Sequence, residues 1–254
     1  NKKSGAGEIS LLPGLINLTL QEAEEEVQKL LNPLLKKKIE TLGRPILEED
    51  LATPFFGKLP KTKGKVPSPI IFAVESALLS WDQTSFPNNF EKLFPGTKDS
   101  FSVRVNDLLY PEGSRFDLAA SSFKIKIGRF SKMQMAQKEI SFIKKVGREL
   151  KEKYPFTKKI RLDGNKNFTR NSLQEYIDQL DPDTLDQIEY FEEPLKNIDQ
   201  WEDFYKKNGI GLGLDESIFD LEEQRITLPI GTKALILKPS FIGGASKYFY
   251  YLKW

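Results

Sequence analysis

From Phe123 onward the chain alternates short apolar segments with longer stretches of helical or turn-like pattern. Phe123-Lys124-Ile125-Lys126-Ile127, Ile160-Arg161-Leu162, Ile188-Glu189-Tyr190-Phe191, Gly211-Leu212-Gly213-Leu214 and Ala234-Leu235-Ile236-Leu237 read as strands. Phe101-Ser102-Val103-Arg104-Val105-Asn106 alternates as a strand ahead of them, although its end carries only Asn106 and Asp107. Between these segments lie amphipathic patterns. Ala136, Ile140, Ile143, Val146 and Leu150 share one helical face behind a Ser131 cap. Leu173, Ile177 and Leu180 do the same behind Asn171 and Gln174, and Trp201, Phe204 and Tyr205 populate a shorter helix. This βα repetition predicts an α/β fold with a parallel sheet and right-handed crossovers.

The first hundred residues follow another pattern. Gly5-Ala6-Gly7-Glu8-Ile9-Ser10 is strand-like, and Leu11-Leu12-Pro13-Gly14-Leu15 is a loop. Thr19 and Glu22 have capping-box spacing ahead of Ala23, Val27, Leu30, Leu31 and Leu34. Prolines and glycines from Pro45 to Pro67 mark a long link, after which Phe72, Val74, Ala77, Leu78 and Trp81 predict a second helix. We therefore divide the chain into a small domain at 1–99 and a strand–helix domain at 100–254. The second holds six strands where a closed barrel of this type has eight, and the first lacks the strands a sheet needs. Both read as incomplete, the second as interrupted in a helix near Lys247–Trp254.

Each strand in this series ends in charge. Lysines stand at 124 and 126, acids at Asp163, at Glu192 with Glu193, and at Asp215 with Glu216, and lysine again at 238. Parallel barrels carry their chemistry at the C-terminal strand ends, so these side chains converge on one volume. Three carboxylates there repel one another unless a hard cation neutralises them. Glu193 and Glu216 are rival ligands one residue on, because adjacent strand residues face opposite ways and only one of each pair points inward. Lys124 and Lys126 lie two apart and face the same way. Lysine beside a cation and partly desolvated has a lowered pKa and can serve as a base. Metal opposite lysine suits abstraction of a proton next to a carboxylate.

Composition narrows the choice. The 254 residues contain no histidine and no cysteine, which removes imidazole acid–base chemistry, thiolate nucleophiles, disulfides and zinc thiolate sites. Any metal is held by oxygen, which points to Mg2+, with Mn2+ as a substitute. Absence of cysteine fits a reducing, cytoplasmic compartment. A net charge of +2 suggests no polyanionic partner. The basic groups Lys36-Lys37-Lys38 and Lys58, Lys61, Lys63 and Lys65 are not interleaved with aromatics as a nucleic-acid surface would be. No apolar run approaches a membrane span, and the sequence sets no oligomeric state.

Lys124-x-Lys126, Asp163-Gly164-Asn165, Glu192-Glu193-Pro194, Asp215-Glu216-Ser217 and Lys238-Pro239 resemble, in order, the active-site motifs of the enolase superfamily. Gly5–Ser10 with Pro13-Gly14, and Ile236–Ser240 with Gly243-Gly244, resemble segments of its dehydrating branch in menaquinone biosynthesis. The resemblance implies a modified (β/α)7β TIM-like barrel with an N-terminal α+β capping domain. It implies Asp163, Glu192 and Asp215 as magnesium ligands and a small carboxylate as substrate. Lys126 would remove the α-proton of a 2-succinyl-6-hydroxy-2,4-cyclohexadiene-1-carboxylate and return it to the departing hydroxyl. Lys238 would stabilise the negative charge that develops, and Lys124 would lie beside Lys126 and depress its pKa. Arg161 and Asn165 match supporting positions, while Ser240, Gly243 and Gly244 would border the succinyl end. Racemases of N-succinylamino acids and dipeptide epimerases share the two-lysine pattern and stand as the alternative within the superfamily. Outside it stand a non-catalytic binding protein on a barrel scaffold and a Schiff-base aldolase, which leaves the three acids without a task.

Overall fold

The computed structural model describes residues 5–11, 16–38, 66–81, 105–111, 119–129, 133–154, 157–219, 227–244 and 251. The sequence expectations at Pro13-Gly14, Ser131 and the basic group from Lys58 to Lys65 lie outside them, as does most of Lys247–Trp254. The chain divides into two compact units, one spanning Ser102–Ile236 and the other combining Asn1–Phe101 with Leu237–Trp254.

Among the described residues the Ser102–Ile236 unit is built on six strands: β1 (Asn106–Leu109), β2 (Ser122–Lys126), β3 (Lys159–Asp163), β4 (Ile188–Glu192), β5 (Gly211–Leu214) and β6 (Thr232–Leu235). They lie in sequence order, every neighbouring pair parallel. Helix α3 (Met133–Lys153) connects β2 to β3, α4 (Arg170–Ile177) and the single turn α5 (Pro182–Leu185) connect β3 to β4, and α6 (Trp201–Asn208) connects β4 to β5. The first strand thus sits at Asn106–Leu109, later than the alternation from Phe101 suggests; residues 101–104 lie outside the description.

One sheet face is apolar. Phe123, Ile125, Ile127, Ile160, Leu162, Phe191, Leu212 and Leu214 are buried against Ile140, Ile143, Val146 and Leu150 of α3, Leu173 and Ile177 of α4, and Trp201 and Phe204 of α6. Burying each large aliphatic side chain contributes about 1.5–3 kcal/mol. The helix ends follow local rules. Thr169 caps α4 and exchanges hydrogen bonds with Ser172, so the cap lies two residues before the Asn171 expected from the sequence. Gly209 ends α6 at φ 68°, a left-handed cap that glycine adopts without steric cost.

The opposite face depends on a bulge. Ile160 pairs with Ile188, but Arg161 pairs with Tyr190, leaving Glu189 as an extra residue. Strict alternation would put Ile188, Tyr190 and Glu192 on one face. The bulge leaves Ile188 with the core and turns Tyr190 and Glu192 to the polar side.

In the other unit, α1 (Leu20–Lys38) opens with the expected capping box: the Thr19 amide donates to Glu22 Oε2 at 2.8 Å and the Glu22 amide to Thr19 Oγ1 at 3.2 Å. Helix α2 (Ser68–Trp81) buries Ile70, Ala73 and Val74, with Phe72 half-buried. Ala23, Ile70 and Val74 form an apolar cluster with Ile9, Leu18, Val27 and Val66. The segment 5–11 forms no strand. No helix among the described residues is long and apolar enough to cross a membrane.

Candidate active site

The polar face of the Ser102–Ile236 unit is ordered in rows by strand register. Lys124 pairs with Arg161, Arg161 with Tyr190, and Tyr190 with Gly211. One step nearer the strand ends, Lys126 pairs with Asp163, Asp163 with Glu192, and Glu192 with Gly213. Neighbouring strands lie about 4.8 Å apart, so Lys126, Asp163 and Glu192 stand side by side across three strands. Glycine at 213 lets Tyr190 and Ile236 close in on the backbone there: a Cβ would lie 2.8 Å from the Tyr190 ring and 3.1 Å from Ile236. The third acid, Asp215, follows immediately after β5.

Asp163, Glu192 and Asp215 are 4%, 1% and 5% exposed, so their charges are expensive unless compensated. Lys124 compensates two of them. Its ammonium donates to Glu192 Oε1 at 2.6 Å and lies 2.8 Å from Asp163 Oδ2. Burial alone would lower the Lys124 pKa, but Glu192 and Asp163 outweigh it and hold the group above the ordinary lysine range. Glu192 is pushed up to about 7, by burial first and then by Asp163, against the pull of Lys124; Asp215 adds to the rise. The two directions are consistent. The lysine sees two carboxylates, whereas Glu192 has one lysine against its burial and two like charges.

Lys124 thus serves two of the acids. By contrast, the Lys126 ammonium has no ion-pair partner among the described residues. Arg161 pairs with Glu189, the bulge residue, at 2.7 Å and lies over the Tyr190 ring. The Asn165 amide donates to Asp163 Oδ1 at 3.1 Å, so Asn165 acts on the site through its backbone. Gly164 sits under a close crossing, where a Cβ would lie 3.0 Å from the Glu193 carbonyl oxygen.

Glu192 and Glu193 take different partners. Glu192 faces the row of Lys126 and Asp163. Glu193 is equally buried but accepts from the Asp215 amide at 2.7 Å, the Ser217 amide at 2.9 Å and the Ser217 hydroxyl at 2.7 Å. Its burial pushes its pKa up, against the pull of the Ser217 and Asp215 donors. Sequence reasoning had no role for Ser217 or Tyr190.

Lys238, Ser240, Gly243 and Gly244 belong to the other unit. Strand β6 ends at Leu235, and Lys238 is the N-cap position of the turn α7 (Pro239–Ile242). Gly243 and Gly244 close that turn at φ 102° and 119°, against α2: a Cβ on Gly243 would meet Ser68 at 3.1 Å, and one on Gly244 would meet Glu75 at 2.3 Å.

The acids offer only oxygen donors, are buried, and already gather a cation. That chemistry fits a hard divalent ion. As placed, no group of three acidic side chains among the described residues stands in a chelating arrangement, since Lys124 spans two of them.

No protein-family model matches the chain. It is 33% identical over 89 residues, 35% of its length, to o-succinylbenzoate synthase of Enterobacter sp. (strain 638), of which it covers 27%. It is 22% identical over 250 residues, 97% of its length, to o-succinylbenzoate synthase of Aliivibrio salmonicida (strain LFI1238), of which it covers 64%. The chain thus spans less than two thirds of these curated relatives. Among solved structures it is similar to o-succinylbenzoate synthase from Thermosynechococcus elongatus BP-1, a complex with magnesium in the active site. There the identity is 20%, the coverage 98% of this chain and 68% of that one, and the TM-score 0.54. It is also similar to the muconate lactonizing enzyme from Klebsiella pneumoniae, at 18% identity, 98% and 67% coverage and a TM-score of 0.64. In sequence the chain resembles the o-succinylbenzoate synthases, and in fold its parallel sheet with connecting helices is similar to these solved structures.

Proposed function

We propose that the protein of which this chain is part is a magnesium-dependent, cytoplasmic lyase that dehydrates 2-succinyl-6-hydroxy-2,4-cyclohexadiene-1-carboxylate to 2-succinylbenzoate in menaquinone biosynthesis. The observation that supports it best is the row across β2, β3 and β4, where Lys126, with no ion-pair partner among the described residues, stands beside two buried carboxylates. The similarity to o-succinylbenzoate synthases supports the substrate.

Asp163, Glu192 and Asp215 would hold the ion, which supplies positive charge to the substrate carboxylate when bound. Lys126 takes the proton from the α-carbon, and the electron pair of that C–H bond moves toward the carboxylate. As the pair returns, the bond to the neighbouring hydroxyl breaks. Lys126 delivers the same proton to the departing oxygen, which leaves as water. The proton taken from carbon is the one that leaves with the hydroxyl, so the step balances without another reagent. Lys124 holds Asp163 and Glu192 in their row and offsets their repulsion. The resemblance of Lys238-Pro239 to the family motif gives Lys238 the role of a second positive charge in the reaction.

The test is turnover of the cyclohexadiene carboxylate, followed by absorbance, with magnesium and then with EDTA. Magnesium-dependent dehydration in the parent, lost by at least about a hundredfold in a folded Lys126→Ala variant, is the expected result. A Lys126→Ala protein with full kcat removes Lys126 as the base. Solvent exchange of the α-proton of an N-succinylamino acid, without dehydration, would move the assignment to the racemase reaction.

A further inference from the structure

We propose that Glu193 is the positioning residue for Asp215, an inference that rests on the reading of Asp215 as an ion ligand. Asp215 lies just beyond the end of β5, where the strand ladder no longer fixes it. Something else must set its direction, and the Glu193 carboxylate is built to do so. It is 1% exposed, and Oε1 receives both the Asp215 and Ser217 amides, at 2.7 and 2.9 Å. Oε2 receives the Ser217 hydroxyl at 2.7 Å, and the Lys166 ammonium lies 3.7 Å from it. An ionised acceptor makes these bonds stronger than neutral ones, and both oxygens are engaged. Glu193 itself is therefore no ligand.

Its backbone is held equally firmly. The Glu193 amide donates to the Gly213 carbonyl at 3.0 Å, and its carbonyl accepts the Lys166 amide at 2.8 Å. Glu193 adopts φ 42°, a left-handed conformation uncommon for a residue with a Cβ. The surroundings sustain it by pinning the residue from both sides. The turn after β3, which follows Asp163, and the turn after β5, which carries Asp215, are thus both referenced to this one residue. A glutamate that only filled space would not need a donor from each.

The test uses the full chain, with Glu193→Gln and Ser217→Ala beside the parent. Glutamine keeps the shape and one acceptor oxygen but loses the charge; alanine at 217 removes one hydrogen bond and leaves the two amides. Magnesium titration by calorimetry should show an affinity about tenfold weaker in Glu193→Gln, and a smaller loss in Ser217→Ala. At saturating magnesium, kcat should recover, a separation that a general loss of fold would not give. Amide hydrogen exchange at Asp215 and Ser217, slow in the parent, should quicken in Glu193→Gln without any metal present. Parental magnesium affinity and parental exchange in both variants would overturn the assignment. If the parent binds no magnesium, the proposed function fails by itself. Exchange then still decides the positioning role: faster in Glu193→Gln supports it, unchanged overturns it.

Discussion

Glu192 and Glu193 are adjacent, equally buried, and held by opposite means. Glu192 is held by charge: the Lys124 ammonium on one side, Asp163 and Asp215 crowding it on the other. Glu193 is held mainly by dipoles, the fixed N–H and O–H groups of Asp215 and Ser217. A carboxylate neutralised by a mobile ammonium can exchange that partner for another cation. One neutralised by backbone donors cannot, because those donors are part of the chain. The first arrangement suits a site that takes up an ion, and the second suits the frame around it.

The largest effect should come from breaking the charge-held corner. Lys124→Met removes the ammonium and leaves Asp163 and Glu192 buried with no cation. Stranding one side of a buried pair costs about 3 kcal/mol or more, and denaturant unfolding without metal should show it. Added magnesium should restore much of that loss, because an ion can take the place of the lysine between the acids. A Lys124→Met protein as stable as the parent in EDTA would show that the pair is not an essential counter-ion.

Next comes pH. Glu192 titrates near 7 in the fold, above an ordinary glutamate, so the folded state binds its proton more tightly than the unfolded chain does. Its contribution to stability is therefore fully present below the unfolded pKa and is lost as pH rises through about 7. Melts in EDTA should show this loss between roughly pH 4.5 and 7.5, and Glu192→Gln should flatten it. Magnesium should oppose the trend, since it binds the ionised form. A slope that survives Glu192→Gln would assign the titration elsewhere.

Much of the site was legible because buried parallel strands write themselves as apolar runs and their ends as charge. The ends at Lys126, Asp163 and Glu192 coincide with the last residues of β2, β3 and β4. What was not legible depends on phase and on contacts distant in sequence. Alternation cannot decide between Glu192 and Glu193, because the bulge at Glu189 resets the phase within β4. The spacing of Lys124 and Lys126 shows that they share a face. It does not show that Lys124 reaches two strands across to Glu192. The brace from Glu193 to Ser217 joins residues whose types alone suggest only a loop. The apolar run of the sixth strand continues to Lys238, whereas the strand itself ends at Leu235.

The smallest prediction isolates burial as the variable. Asp181 caps α5 by accepting from the Thr184 amide at 2.8 Å and hydroxyl at 2.6 Å, the same donor types that Ser217 offers Glu193. Yet the Asp181 pKa is lowered, first by the Thr184 hydroxyl bond, while that of Glu193 is raised, first by burial. Nearer water, the donors win; in the interior, desolvation does. The signs of the pH response follow. Stability from Asp181 is present above its unfolded pKa and is lost as pH falls through its folded value; that from protonating Glu193 is lost as pH rises. Asp181→Ala should cost about 1 kcal/mol at neutral pH, the usual value of a helix cap, and the cost should shrink in acid. Glu193→Gln should respond the other way: its cost is larger at low pH, where the parent carboxyl is neutral and free of the desolvation penalty, and shrinks toward neutral pH as the parent has to ionise a buried group. Paired urea melts of both variants at neutral and acidic pH read this directly. Equal costs at both pH values would mean that neither carboxylate is held through its charge.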